Sequence, residues 1–191
     1  MSRKAFVGAL AGLGVSATGI TALIASSRSG PQEPLIPGSQ AARLGEFNKQ
    51  LHQQHINMQA GAAQPASEEI ARQRLSEILA DYAENAVVED PLFPHPIVGK
   101  QAIAQRKLAE MNAMAGVQID VTNRFAHGDQ VVVEWVMHGR HEGDFFGYKA
   151  TGNALSHRGV TVVTRKSGKI VRESLHYDVH ELHRLLSSAS A

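Results

Sequence analysis

GVQIDVTNRFAHGDQVVVEWVMH, residues 116–138, decides the fold class, because its apolar residues alternate where those before it recur every three or four positions. Val117, Ile119 and Val121 alternate with polar neighbours, His127-Gly128-Asp129 makes a turn, and Val131 to His138 is an apolar run. Period two followed by a turn and a second apolar run predicts a strand pair. Further on, Gly143 and Gly147 punctuate a connection, and Val160 to Val163 form the centre of a third strand. Lys166-Ser167-Gly168-Lys169 reads as a hairpin turn, Ile170 to Tyr177 as the last long strand, and Val179 to Leu186 as a closing helix.

Upstream of Gly116 the pattern is helical. From Ala41 to Met58, Leu44, Phe47, Leu51 and His55 lie at helical spacing, with Asn48, Gln50, Gln53 and Gln54 on a polar second face. Gly61 to Pro65 breaks that helix. Ser67 then offers an N-cap, Glu68 and Glu69 suit the helix dipole, and Leu75, Ile78, Leu79 and Tyr82 form a stripe that predicts a helix reaching Asn85. Val87 to Asp90 is a short strand stopped by Pro91, and Pro91, Pro94 and Pro96 impose an extended loop before a third helix, Gln101 to Met114. Helices grouped ahead of an antiparallel meander predict an α+β fold and not an alternating parallel sheet.

The 191 residues exceed what this pattern needs. Ser2-Arg3-Lys4-Ala5-Phe6 precedes an uncharged run to Ala25, the build of a secretory leader. The S-R-K-x-F stretch resembles a twin-arginine export signal with lysine in place of the second arginine. Residues 1–27 are therefore expected to be an export signal or an uncleaved anchor, 28–40 a Pro- and Gly-rich linker, 41–187 the domain and 188–191 a tail. Export would make the chain periplasmic or extracellular, held at a membrane only through an uncleaved leader.

Basic and acidic residues number 19 and 18, and Arg3, Lys4 and Arg28 account for three of the former, leaving the rest 16 against 18. No basic stripe interleaves with aromatics, so nucleic acid is not expected as a partner. Cysteine is absent, which excludes disulfides, thiol nucleophiles and zinc–thiolate sites. Hydrophobic residues at 43% are enough for a packed core. Any chemistry falls to carboxylates and to the ten histidines.

Two stretches resemble the SnoaL-like branch of the nuclear transport factor 2-like superfamily. The first runs Tyr82-Ala83-Glu84-Asn85-Ala86-Val87-Val88-Glu89-Asp90-Pro91 and ends in Gly99-Lys100-Gln101-Ala102-Ile103, like the helix–strand–helix signature of ketosteroid isomerases and SnoaL-like ester cyclases. The second runs from Trp135 through His141-Glu142-Gly143-Asp144-Phe145-Phe146-Gly147, Thr151-Gly152-Asn153 and Arg158-Gly159-Val160 to Tyr177-Asp178. Together they cover about residues 40–186. The resemblance implies a cone-shaped α+β barrel, a curved antiparallel sheet wrapped around N-terminal helices with an open pocket. It also implies a homodimer through the sheet face.

The same resemblance supplies candidate site residues. Asp90 occupies the place of the isomerase base, where desolvation beside an apolar pocket could raise its pKa; an Asp before Pro also ends strands by bonding nearby backbone. Asp178 occupies the place of the cyclase acid–base residue, and equally fits an N-cap for the closing helix. Alternation along the last strand would put Ile170, Arg172, Ser174, His176 and Asp178 on one face. His141, Trp135, His176, Phe145 and Arg158 are the expected substrate-binding residues, with Phe146 and Tyr148 as further lining. No Tyr precedes Tyr82 and the strand Arg158 to Val163 has no carboxylate, so the isomerases' oxyanion donors are missing. His180 and His183 stand one helical turn apart without a third ligand in sequence, so no metal site is expected.

The expected function is that of an exported, cofactor-independent enzyme of cyclase or isomerase type, acting by acid–base chemistry on a small hydrophobic carbonyl compound. The alternative is a non-catalytic ligand-binding or dimerisation domain of the same fold.

Overall fold

The computed structural model describes residues 38–60 and 67–187. The expected leader (1–27), nearly all of the linker and the tail lie outside the described residues. Among the described residues no helix is long and apolar enough to cross a membrane.

Helix α1 (Gln40–Ala60) forms where the sequence predicts it, but it buries a different face. Asn48, His52, His55 and Ile56 point inward at i, i+4, i+7 and i+8, while Phe47 is 52% exposed and Leu44 is 39% exposed. Polar residues take the inner face because partners await them there: Asn48 Nδ2 donates to the Gly128 carbonyl at 2.9 Å. Helix α2 (Glu68–Ala80) is capped by Ser67, whose hydroxyl accepts from the Ile70 N–H at 3.2 Å. It stops five residues short of Asn85. Strand β1 (Tyr82–Glu89) starts at Tyr82, which is 1% exposed, so the last residue of the expected helical stripe is the first inward residue of a strand.

Strand β2 (Ile97–Val98) and helix α3 (Lys100–Ala113) follow the proline loop. The long strands are β3 (Met114–His127), β4 (Gln130–His141), β5 (Ala154–Lys166) and β6 (Lys169–Tyr177), and helix α4 (Val179–Ser187) closes the domain. The β5–β6 hairpin turns at Ser167 and Gly168, with φ of 50° and 77°. Glycine suits that left-handed conformation because it has no Cβ to clash.

The six strands lie in the order β2-β1-β6-β5-β4-β3, an open sheet. The fold is the expected α+β cone-like class, but the sheet is mixed and not wholly antiparallel. β1 runs parallel to β6, with Val88 opposite Glu173 and Glu89 opposite Ser174. Ile78, Tyr82, Ala86, Val88, Ile103, Val163 and Ile170 pack α2 and α3 on the sheet, each almost fully buried. Burial of each large aliphatic side chain contributes about 1.5–3 kcal/mol. The buried Arg165 binds both oxygens of Asp81 at 2.7 and 2.5 Å, and Asp81 also meets His55 Nδ1 at 3.0 Å. That carboxylate thereby ties α1 and β5 to the α2–β1 junction.

Candidate functional site

A cavity of about 90 Å³ lies between α1, α3 and the inner face of the sheet. His52, Ile56 and Gln59 reach it from α1; Arg106, Lys107 and Glu110 from α3; Trp135 and Met137 from β4. His157 and Thr161 of β5, Glu173, Leu175 and Tyr177 of β6, Asp90 and Phe145 complete most of the wall. Charged side chains on an otherwise apolar wall cost folding free energy unless they are paired, so their pairings define the site.

Asp90 is at its centre. The residue is 4% exposed. Oδ2 accepts from Arg106 Nε at 2.8 Å and from Nη2 at 2.6 Å. Oδ1 accepts from the Leu92 N–H at 3.0 Å and from the Tyr177 hydroxyl. Four donors fill the acceptor sites that a carboxylate has. The desolvation expected to raise Asp90 does act, but the Arg106 charge and these hydrogen bonds outweigh it and hold its pKa below the ordinary carboxylate value. The backbone-bonding role and the pocket role of Asp90 therefore coexist, and the expectation of a raised pKa is overturned.

Arg106 is equally committed. Its remaining nitrogen, Nη1, reaches Glu110 Oε2 at 3.0 Å. One guanidinium thus sits between two carboxylates, and against the cost of burial their charges keep it protonated. Tyr177 donates its hydroxyl hydrogen bond to Asp90, and burial with the Asp90 charge pushes its pKa up, so it stays a phenol. The neighbouring Glu173 accepts from the Tyr82 hydroxyl. Burial opposes its charge, but Lys107, His55 and the Tyr82 bond hold it down at about 2.

The two cavity histidines are neutral. Burial, helped by the His55 charge, pushes His52 down to about 3, and burial also lowers His157. Nδ1 of each is buried without a hydrogen-bond partner. His157 packs edge-on to both Trp135 and Tyr177, with ring centroids at 5.2 and 5.5 Å. Trp135 is fixed by its indole N–H, which donates to Thr161 Oγ1 at 2.9 Å. Gly159 leaves the space for that ring: a Cβ there would lie 2.5 Å from Trp135 Cζ2.

Of the residues expected from sequence, Asp90, Trp135 and Phe145 meet in this cavity. Asp178 does not. It is exposed, and its Oδ1 accepts from the Glu181 N–H at 3.0 Å as the N-cap of α4. It shares a shallow open depression with Arg158, which is also exposed. His176 is exposed and bonds Ser174 Oγ at 3.1 Å. The physical reason is a bulge in the β5–β6 pairing, where Thr164 opposes Arg172 but Arg165 opposes Ile170. The extra residue reverses the alternation, so Glu173, Leu175 and Tyr177 face the cavity and Arg172, His176 and Asp178 do not.

His141 is fully buried but outside the cavity wall. Its Nδ1 lies 3.1 Å from Thr151 Oγ1, and its backbone exchanges hydrogen bonds with Gly152 and Asn153, so it anchors the loop after β4. Burial lowers its pKa. His180 and His183 are exposed on α4, and no cluster of three metal-binding side chains occurs among the described residues.

Arg106, Lys107, His157, Glu173, Tyr177 and His52 were not singled out by sequence. One signal was present. Ile103, Lys107 and Met111 share a stripe at i, i+4 and i+8, so a lysine stands in the buried row of α3.

Comparison with known proteins agrees with this fold. The profile of SnoaL-like domains matches residues 66–173. A candidate SnoaL-like polyketide cyclase from Jannaschia sp. CCS1 superposes with a TM-score of 0.66 at 16% identity, over 80% of this chain and 100% of its own. AclR, a candidate hydroxylase from Streptomyces galilaeus, gives 0.59 at 19% identity, over 74% and 81%. A protein of ketosteroid isomerase-like fold from Catenulispora acidiphila DSM 44928 gives 0.53 at 14% identity, over 69% and 90%. No protein of curated function matches the sequence. The profile spans more than half of the 191 residues, so the chain belongs to the SnoaL-like domain family.

Proposed function

We propose that this chain is a cofactor-independent acid–base enzyme of cyclase or isomerase type, acting on a small hydrophobic carbonyl compound in the Asp90 cavity. The observation that carries the proposal is the buried Tyr177–Asp90–Arg106–Glu110 network on the wall of an apolar cavity beside neutral His157. Such a network costs folding free energy that apolar packing would not. Asp90, with its acceptor sites filled, orients the Tyr177 hydroxyl. His157, kept neutral by burial, is the proton acceptor. This assigns the base to an imidazole and makes Asp90 the group that holds the phenol.

The saturation of Asp90 favours a second reading, a non-catalytic carrier of the same ligands, because its carboxylate has no open acceptor site for a substrate proton. The two separate on one measurement. In D2O the enzyme exchanges the α-hydrogens of 1-tetralone faster than buffer, read by proton NMR, and His157→Phe lowers the rate about a hundredfold. Binding of 1-tetralone without exchange would replace the enzyme by the carrier.

Residues 2–25 support export of the mature domain, to the periplasm or beyond. Cell fractionation with N-terminal sequencing tests this; a cytoplasmic chain retaining Met1 or Ser2 would refute it.

A further inference from the structure

We infer that Lys107 is the group that receives the ligand's acceptor oxygen, the electrophile of this cavity. The inference deepens the proposed acid–base function and rests on it for the reaction, though not for the binding contact.

Two buried cations stand side by side on α3, and they are not equivalent. Arg106 spends Nε and Nη2 on Asp90 and Nη1 on Glu110. Lys107 is 4% exposed, and none of its three N–H donors makes a hydrogen bond among the described residues. Its ion-pair partner is Glu110 Oε2 at 3.9 Å, beyond hydrogen-bond reach, and that oxygen is already held by Arg106. The same side chain lines the main cavity and the smaller hollow beside it, shared with Gln59 and Glu110. The Glu110 and Glu173 charges compensate its own, but its N–H donors stay unused on the cavity wall, so an acceptor entering the cavity gains a charge-assisted hydrogen bond there.

The acceptor it fits is a carbonyl oxygen. Removal of an α-proton by a His157 ring nitrogen breaks a C–H bond, and the electron pair passes through the α-carbon to leave the charge on that oxygen. Lys107 then donates to an enolate, in the role left empty by the absent isomerase donors. The step forms one N–H bond, breaks one C–H bond and needs no co-reactant.

The test uses the full chain with 1-tetralone carrying carbon-13 at the carbonyl. Binding is followed by Trp135, the one tryptophan, and polarisation by the infrared C=O stretch. In wild type the bound stretch falls below its value in water. Lys107→Met returns it above the water value while the ketone still binds, and exchange slows about a hundredfold. Lys107→Gln serves if the Met variant does not fold, and the wild-type stretch stands without either. An unpolarised carbonyl in wild type, a stretch unmoved by the substitution, or no binding of the ketone overturns the inference. A polarised carbonyl without exchange keeps this contact and removes the enzyme reading. Exchange at the wild-type rate in Lys107→Met does the reverse.

Discussion

Arg106 places two nitrogens, at 2.8 and 2.6 Å, on the single oxygen Oδ2 of Asp90. Both residues are buried, and the other Asp90 oxygen is left for Tyr177 and the Leu92 N–H. The pair therefore locks α3 to the end of β1 and, through Tyr177, to the end of β6. Positioning and stability are the same contact here.

Asp90→Asn separates these roles only partly. The amide keeps the shape but leaves the Arg106 charge with Glu110 alone as its counter-ion. Breaking a buried pair by removing one partner costs about 3–5 kcal/mol. Urea unfolding should show a loss of that size, and 1-tetralone exchange should fall with it because Tyr177 is no longer oriented. A loss under 1 kcal/mol would mean that the pair is far better hydrated than its burial implies.

Asp178→Ala should behave as a cap deletion and nothing more. The exposed carboxylate serves the Glu181 N–H and stands outside the cavity. Loss of an N-cap costs about 0.5–2 kcal/mol. Exchange of 1-tetralone, measured below the variant's melting range, should match wild type. A hundredfold fall would return Asp178 to the chemistry.

Acid should destabilise the protein well above the carboxylate range. Burial drives His52 down to about 3 from its ordinary 6.5, and it lowers His157 too. Between about pH 3 and 6.5 the unfolded chain holds a proton at His52 that the folded chain does not, so stability falls as pH is lowered through that window. At pH 4.5 the His52 contribution is about 2–3 kcal/mol relative to pH 7.5. Glu173, held at about 2 from 4.5, adds a loss of the same sign at lower pH. Urea midpoints across this range should flatten in His52→Phe; an unchanged slope would show that His52 titrates normally in the fold.

How much of this was legible in sequence depended on periodicity. Turns at Gly128 and Gly168, the cap at Ser67 and the strand-to-helix order all follow from local chemistry and appear as expected. Two failures have a shared cause. On α1 the hydrophobic stripe pointed to Leu44 and Phe47, but Asn48 and His55 are inside because tertiary partners meet them, and His52 is inside on the cavity wall. On β6 simple alternation from Ile170 put His176 and Asp178 on its face, and one bulged residue moved the inner face to Glu173 and Tyr177. A bulge leaves no mark in hydrophobicity when polar residues line both faces. The Asp90–Arg106 pair spans sixteen positions and two elements, so no local pattern encodes it.

Gly159→Ala tests whether the cavity shape depends on one missing methyl. The added Cβ would stand 2.5 and 2.7 Å from Trp135 Cζ2 and Cη2, and 2.8 Å from the His176 carbonyl oxygen. The carbonyl belongs to the β6 backbone paired with β5 and cannot retreat cheaply, so the indole must shift. That movement strains the Trp135–Thr161 bond and presses on His157, which packs against the same ring. Overpacking of this kind costs about 1–3 kcal/mol. Because Trp135 is the sole tryptophan, the displacement should appear directly as a shift in fluorescence maximum, together with at least tenfold weaker binding of 1-tetralone. Unchanged fluorescence and affinity would mean that the sheet opens at β6 to admit the methyl, and that the cavity wall is softer than its packing implies.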